Sequence, residues 1–501
     1  MIELAENFKN RRVVFLGENE IQCDLTGIYQ ISDFSCIDTA SENFSIRSLA
    51  GQFDAIKEHH EYLIICIEMQ NDLKEELEKA QFQEFTDYCI AEYLLICHDL
   101  VKSLINKHIL FYGNGNTFEY FKDELEQFIT IPEKFLASSN PEESEEIIDI
   151  NSYQPEKDTF IVVSSIYYQD IRRELSKKHL EIGKDYLHIY TFVKLLKYDR
   201  NLTQKYLFED RRKSSDKLLV ILSGYKEFVW ENVFSRIEKF LPMDIDVCVV
   251  TSGLESKAMR QLCTKNDWSY ISTADNNVSL AINIAIFLHP AAKMIYKLDE
   301  DIFITKGIFE TMLATYQYVQ KNTFFETAFV TPLIPVNGFG YVDVLQRFGL
   351  TDKWEKKFGK QSLKYTDCYR HHRLIHDNPE AAEFMWGADD DSCALSDIDK
   401  MEEVLQKDDM EFQICPIRFS IGFILFSRDN WIGMDMFPVD FHQNMGTDEI
   451  HICKYALMSG RAIVESLNTV AGHLSYGPQH KHMEQFYYRH IDRFALKGTG
   501  D

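Results

Sequence analysis

The sequence predicts an α/β protein built on parallel sheets. Three observations carry that expectation. Short aliphatic and aromatic runs recur along the chain, each followed by a turn and then by apolar residues at helical spacing. One such strand–turn–helix pattern occurs twice within the first 200 residues. Further on, four runs in series lead to an acidic turn, Asp299-Glu300-Asp301, directly after the apolar stretch Met294 to Leu298. Strand, helix, strand is the order a parallel sheet requires, because each strand must be carried back to the same end by a crossover. At 501 residues the chain exceeds one ordinary core, and roughly three domains are expected.

The duplication opens the chain. RRVVFLGENE (11–20) parallels KHILFYGNGN (107–116), each a buried strand with a glycine, Gly17 or Gly113, at the turn. Residues 61–88 then match 159–186 without a gap, pairing Asp72 with Asp170 and Tyr88 with Tyr186. The helices that follow carry apolar pairs at matching places, Leu73/Leu77 and Ile171/Leu175. We read two Rossmann-like units, 1–104 and 105–200. A dinucleotide fingerprint needs three glycines so that backbone can approach a pyrophosphate. The first copy has only Gly17; the second has Gly113 and Gly115, with Phe118 in the third place. A structural, acceptor-recognition or subunit-pairing role, with a homo-oligomer formed through these units, is therefore expected. Ser138 to Lys157, acidic and containing serine and proline, reads as an exposed loop.

Residues 201–216 are polar and charged and read as a linker to a third domain, 217–501. That domain begins with a strand, Leu218 to Leu222, the turn Ser223-Gly224-Tyr225 and an amphipathic helix. IDVCVVTSG and WSYIST read as the second and third strands, and VSLAINIAIFLHPAA as a helix leading to the fourth. The acidic turn thus ends a parallel strand, where ligands of such sheets gather. Carboxylates one residue apart raise each other's pKa unless a cation lies between them. Hard divalent ions, Mg2+ or Mn2+, suit that position; the alternative is a solvated turn capping the next helix.

Composition removes several classes. A formal net charge of −26 argues against a nucleic-acid partner, which calls for a basic stripe. The eleven cysteines include no C-x-x-C pair and lie mostly in apolar runs, as buried free thiols do in a reducing cytoplasm. The first residues lack the apolar core of a signal peptide, and no apolar run approaches the roughly 18 residues that span a bilayer. A cytoplasmic protein, at most peripheral at the inner face of a membrane, is expected.

Four segments, in this order, carry a resemblance: VILSGYKEF, NNVSLAINIAI, KLDED, and the C-terminal run FSIGFILFSRDNWIGMDMF, GTDEIHICKYALMSGRAIVES and AGHLS. Taken together, residues 217 to about 480 resemble a glycosyltransferase of the GT-A fold, nearest the family 2 type. The resemblance implies a D-x-D motif in which Asp299 and Asp301 hold Mn2+ or Mg2+ against a diphosphate, with His473 as a further ligand. It implies a donor site at Ser223, Gly224, Tyr225 and Asn277. Lys297, polar within an apolar strand, is read either as a phosphate contact or as a neutraliser of the acidic turn. Glu300 stands where small or neutral residues are common, and is read either as adding a ligand within the donor site or as pointing away. It also implies a general base at Asp448 or Glu449; burying Ile452 favours Glu449, whereas anchoring on Gly446-Thr447-Asp448 favours Asp448. Asn337, in TPLIPVNGFGY, and Trp386, in WGADDDS, are candidates for the sugar and acceptor pocket.

The implied activity is transfer of a sugar from a nucleotide donor, UDP-linked, to a hydroxyl of a glycan or glycolipid, with inversion, in surface polysaccharide synthesis. A retaining enzyme of the same fold is the open alternative. A sugar-phosphate nucleotidyltransferase would want a glycine-rich basic loop after the first strand, where SGYKEF supplies one glycine and one lysine. A non-catalytic sugar-nucleotide-binding or scaffold protein would need neither Asp299/Asp301 nor Asp448/Glu449. Three further segments are weighed. His372 and His376 have the spacing of a zinc pair on a helix but no third ligand in view. Asp389 to Asp391 follow no strand and read as a solvated loop. The basic, aromatic tail HKHMEQFYYRHIDRF reads as a packed terminal helix, with contact to an anionic membrane bearing a lipid-linked acceptor as its alternative.

Overall fold

The computed structural model describes residues 4–40, 44–104, 107–137, 147–202, 205–360, 374–407, 409–440 and 446–496, and all counts are of those residues. The chain divides into two compact units, Met1–Arg200 and Asn201–Asp501.

In the first unit, β1 (Val13–Leu16), β2 (Phe34–Ile37), β3 (Tyr62–Ile65) and β4 (Tyr88–Ile90) form a parallel sheet in the order β2-β1-β3-β4. A second parallel sheet contains β5 (His108–Tyr112), β6 (Phe135–Ala137), β7 (Ile147–Asp149), β8 (Thr159–Val163) and β9 (Tyr186–His188), in the order β7-β6-β5-β8-β9. β6, β5, β8 and β9 repeat the first sheet, and β7 is an addition at its edge. Residues 147–149 of the expected loop are therefore a strand: two isoleucines are enough to pair with β6 even in acidic surroundings. Gly17 and Gly113 both have φ +98°, a left-handed value that glycine adopts without strain. The predicted apolar pairs, Leu73/Leu77 and Ile171/Leu175, are buried.

The two copies pack closely. A Cβ on Gly27 would lie 2.4 Å from the carbonyl oxygen of Ile182, so the first copy's helix Glu20–Ile28 meets the second copy's backbone there. Buried Asp24 accepts hydrogen bonds from the Tyr168 hydroxyl and, at 3.1 Å, from the His188 backbone N–H. Burial drives the Asp24 carboxyl up to about 7, against the pull of those donors. Burial likewise drives the neighbouring His188 imidazole down to about 4.

The second unit holds β10 (Tyr206–Glu209), β11 (Lys217–Ser223), β12 (Asp246–Ser252), β13 (Ser269–Thr273), β14 (Met294–Asp299), β15 (Ile302–Phe303), β16 (Thr327–Leu333), β17 (Phe412–Cys415), β18 (Phe423–Ser427), β19 (Ala462–Val470) and β20 (Gly472–His473). Nine of them form one mixed sheet, β10-β13-β12-β11-β14-β18-β16-β19-β17. β13, β12, β11 and β14 run parallel, so Thr273, Ser252, Ser223 and Asp299 end at one edge. These are the four strands read from the sequence. The helix Val278–Leu288, apolar almost throughout, is buried as a connection to β14. β18 then runs antiparallel against β14.

One segment differs from expectation, and another takes the packed helical form expected of it. The supposed linker contains β10, paired antiparallel with β13 and anchored where Glu209 meets Arg211 and Arg260. Its charges are thus matched within an edge strand. The tail forms the helix His480–Arg489, with Met483, Phe486 and Tyr487 buried in the core. Among the described residues no helix is long and apolar enough to cross a membrane.

Candidate active site

The acidic turn is fixed from two sides. Ile302 and Phe303 leave it as β15, which pairs antiparallel with β20 in the register Ile302 to His473 and Phe303 to Gly472. The Leu474 N–H donates to the Asp301 carbonyl at 3.2 Å. This two-residue ladder carries His473 to Asp301 from far along the chain. Trp386 closes it from behind. Its indole N–H donates to the His473 carbonyl at 3.0 Å, and a Cβ on Gly472 would collide with its ring at 2.3 Å.

On the other side lies the turn after β11. The Glu300 carboxylate accepts from the backbone N–H groups of Gly224 and Tyr225, both at 2.9 Å, from the Trp230 indole at 2.7 Å and from the Ser223 hydroxyl at 3.3 Å. Its oxygens are taken up by the protein. The Glu300 carboxylate is thus engaged by the end of β11, the turn after it and Trp230. Tyr225, next along, is 57% exposed and donates its hydroxyl to the Ser252 carbonyl at 2.6 Å.

Each aspartate has a lysine. Asp299 Oδ1 lies 2.6 Å from Lys297 Nζ, which also donates to the Ile421 carbonyl at 2.9 Å. Burial raises the Asp299 carboxyl; Lys297 opposes this, and Asp301 and Asp448 add to it. Asp301 Oδ2 lies 2.5 Å from Lys226 Nζ and 3.5 Å from His473 Nε2. Burial works against ionisation of Asp301 as well, but Lys226 and His473 outweigh it and hold its carboxyl below the usual range.

Asp448 and Glu449 open the helix Thr447–Met458. Glu449 is ion-paired with Arg418. Its carboxyl is raised by burial, with Arg418 opposing and Asp448 adding. Asp448 is buried, and among the described residues no hydrogen bond or ion pair engages its carboxylate. The effect of Asp448 on Asp299 places both in one electrostatic cluster. Lys226 and Arg418 were not singled out as site residues from sequence. A lysine next to the first turn was the only signal for Lys226, and Arg418 gave none.

Three candidates are placed in structural positions. Asn277 caps the helix Val278–Leu288, accepting from Leu280 N–H at 3.0 Å and donating to the Asp440 carbonyl at 2.9 Å. Asn337 accepts from Phe339 N–H at 2.8 Å and donates to the Ser420 carbonyl at 3.2 Å, shaping its own loop. Trp386 is 3% exposed and packs into the core. For the rejected zinc pair, His376 lies against Asp377 and Tyr476, and His372 is outside the described residues. Asp389 caps a short 3-10 helix and pairs with Lys357 at 2.8 Å, as a surface loop does.

Fit to a divalent ion can be judged from the donors. Among the described residues no three His, Cys, Asp or Glu side chains gather as a metal cluster. Asp301 and His473 are two suitable donors. His473 Nδ1 donates to the Val336 carbonyl at 2.9 Å, which orients the ring so that Nε2 faces Asp301. A carbonyl behind the imidazole is how metal-binding histidines are oriented. Ions that bind diphosphates commonly take their remaining ligands from phosphate and water, so two protein donors suffice. Asp299 is drawn to Lys297 instead, which leaves the expected three-residue set with two members facing each other.

No family model matches the sequence, and a search of curated proteins finds no match. Among solved structures, a crystal structure of GalNAc-T7 with UDP, GalNAc and Mn2+ is similar at 11% identity and a TM-score of 0.32. The match covers 58% of this chain and 53% of that one, so this chain spans about half of that protein's length. A likeness of that size carries no argument about activity, and the site must be read from its own residues.

Proposed function

We propose that the second unit is a metal-dependent glycosyltransferase that moves a sugar from a nucleotide donor, UDP-linked, to a hydroxyl of a glycan or lipid-linked glycan. The observation that carries this reading is the facing pair Asp301 and His473 at the carboxyl edge of the parallel strands, with the buried Asp448 near enough to Asp299 to raise its carboxyl. Tyr225, exposed and tethered through its hydroxyl, offers a face for the nucleobase. Asp301 and His473 would hold a divalent ion, which supplies Lewis-acid stabilisation to the leaving diphosphate. Asp448 takes the proton from the acceptor hydroxyl as its oxygen attacks the anomeric carbon. The bond to the diphosphate breaks from the opposite face, and the configuration inverts. Glu449 is less suited to this step because Arg418 already engages it.

A thermal-shift screen of nucleotides and nucleotide sugars, with and without Mn2+, tests the reading on wild type and Asp301→Ala. Stabilisation follows RT ln(1 + [L]/Kd). A metal-dependent shift with one nucleotide that vanishes in the variant is expected. An equal shift in both proteins would remove Asp301 from the site.

A further inference from the structure

Lys226 is a basic residue of the site to which the proposed chemistry gives no role. Its ammonium lies on Asp301 Oδ2 at 2.5 Å, the same oxygen that His473 Nε2 faces at 3.5 Å. A cation between Asp301 and His473 would have to share that oxygen with Lys226. The lysine is not held there by its backbone alone. The turn that carries it is pinned by Glu300 through Gly224, Tyr225 and Trp230, whereas the Lys226 side chain is a quarter exposed and has four rotatable carbons. The backbone is fixed and the ammonium can swing.

We propose that Lys226 is an exchangeable counter-ion. It occupies the cation position on Asp301 until a divalent ion arrives with the nucleotide, and its displaced ammonium then grips the diphosphate. Charge supports the exchange. Asp299, Glu300, Asp301, Asp448 and Glu449 face Lys226, Lys297 and Arg418, so these side chains carry two uncompensated negative charges. A divalent ion offsets both charges, and the ammonium it displaces from Asp301 is then left to meet the diphosphate. Metal and nucleotide therefore bind weakly alone and strongly together. A buried carboxylate is never left without a partner, because one cation replaces the other. The inference rests on the proposed function only in placing a divalent ion at Asp301.

Isothermal titration of the full chain with Mn2+ alone, UDP alone and both tests it, using wild type, Lys226→Met, Lys226→Gln and Asp301→Ala. Both Lys226 variants should bind Mn2+ alone more tightly than wild type, by about tenfold or more, the weight of one charge-assisted hydrogen bond. They should bind UDP in the presence of Mn2+ more weakly. Lys226→Gln keeps a hydrogen-bond donor to Asp301 without the charge, so a folding defect confined to Lys226→Met does not remove the test. A merely structural lysine would not raise metal affinity when removed. Mn2+ binding that is lost in Asp301→Ala but equal in wild type and both Lys226 variants overturns the exchange and leaves the metal site standing. No Mn2+ binding in any protein, with or without UDP, overturns the exchange and the metal site together.

Discussion

The middle residue of the acidic turn shows how much a single side chain can organise. Glu300 gathers four donors, from the end of β11, the turn after it and Trp230, and so fixes the backbone that carries Tyr225 and Lys226. Replacing it with alanine leaves a buried indole N–H and two backbone N–H groups without an acceptor. Glu300→Ala should cost about 2–4 kcal/mol, as loss of charged hydrogen bonds from a buried site does; a change below about 0.5 kcal/mol in chemical denaturation would contradict the clamp. At the same scale, Asp448→Asn should lower kcat about 10²–10⁴-fold, the usual contribution of a general base, while UDP and Mn2+ still bind. Glu449→Gln should lower it much less, and steady-state kinetics showing the reverse order would transfer the role of base to Glu449. Asp299 and Asp301 were legible as a pair in the sequence because their chemistry lies in adjacent residues. The clamp that Glu300 makes was not, because its partners lie on and after a different strand. Arg418 was not, because nothing near it in sequence is acidic.

Elements were legible where they carry a period. The buried strands β11 to β14 and the helices between them declare themselves by apolar spacing, and so do the duplicated strands and helices of the first unit. Elements too short to show a period were missed: β7 and β10 at sheet edges, and above all the two-residue β15 and β20 that bring His473 to Asp301. The contact between the two copies was also hidden, since Asp24 reads as an ordinary polar residue in an amphipathic helix. It makes a prediction about pH. Asp24, raised to about 7, keeps a proton in the folded protein that it would lose above about 4 when unfolded; alone it makes stability fall as pH rises through that window. His188, depressed to about 4, stays neutral in the folded protein where the unfolded residue would be protonated below about 6.5; alone it makes stability fall as pH falls. Between about pH 4 and 6.5 the two slopes oppose and largely cancel. Asp24→Asn should expose the histidine slope, a loss of up to about 1.4 kcal/mol for each pH unit of acidification. His188→Gln should expose the opposite slope. Urea titrations across that range, read by the fluorescence of the full chain, would refute the pairing if neither variant changed the pH dependence relative to wild type.

At the scale of the whole molecule, the expected division of labour between the two units follows from chemistry. Both units contain parallel strands whose carboxyl ends could receive a ligand. In the first unit the third glycine place of the phosphate turn is filled by Phe118, which is 2% exposed and packs edge-on against Phe111 and Phe135. A helix seated on its sheet by a phenylalanine does not bring backbone close to a pyrophosphate as a glycine does. The first copy is less suited still, because Asn19 already caps its helix by accepting from Gln22 N–H at 2.9 Å. Nucleotide binding is therefore expected in the second unit alone. Hydrogen exchange of the full chain with UDP and Mn2+ should show new protection at residues 223–226, 299–303, 446–449 and 472–474. Residues 13–22 and 111–120 should exchange as they do without ligand. Protection in either of those first-unit turns at ligand concentrations that saturate the second unit would assign a nucleotide to the duplicated sheets. Phe118 would then have to be read as the floor of a pocket rather than as a plug.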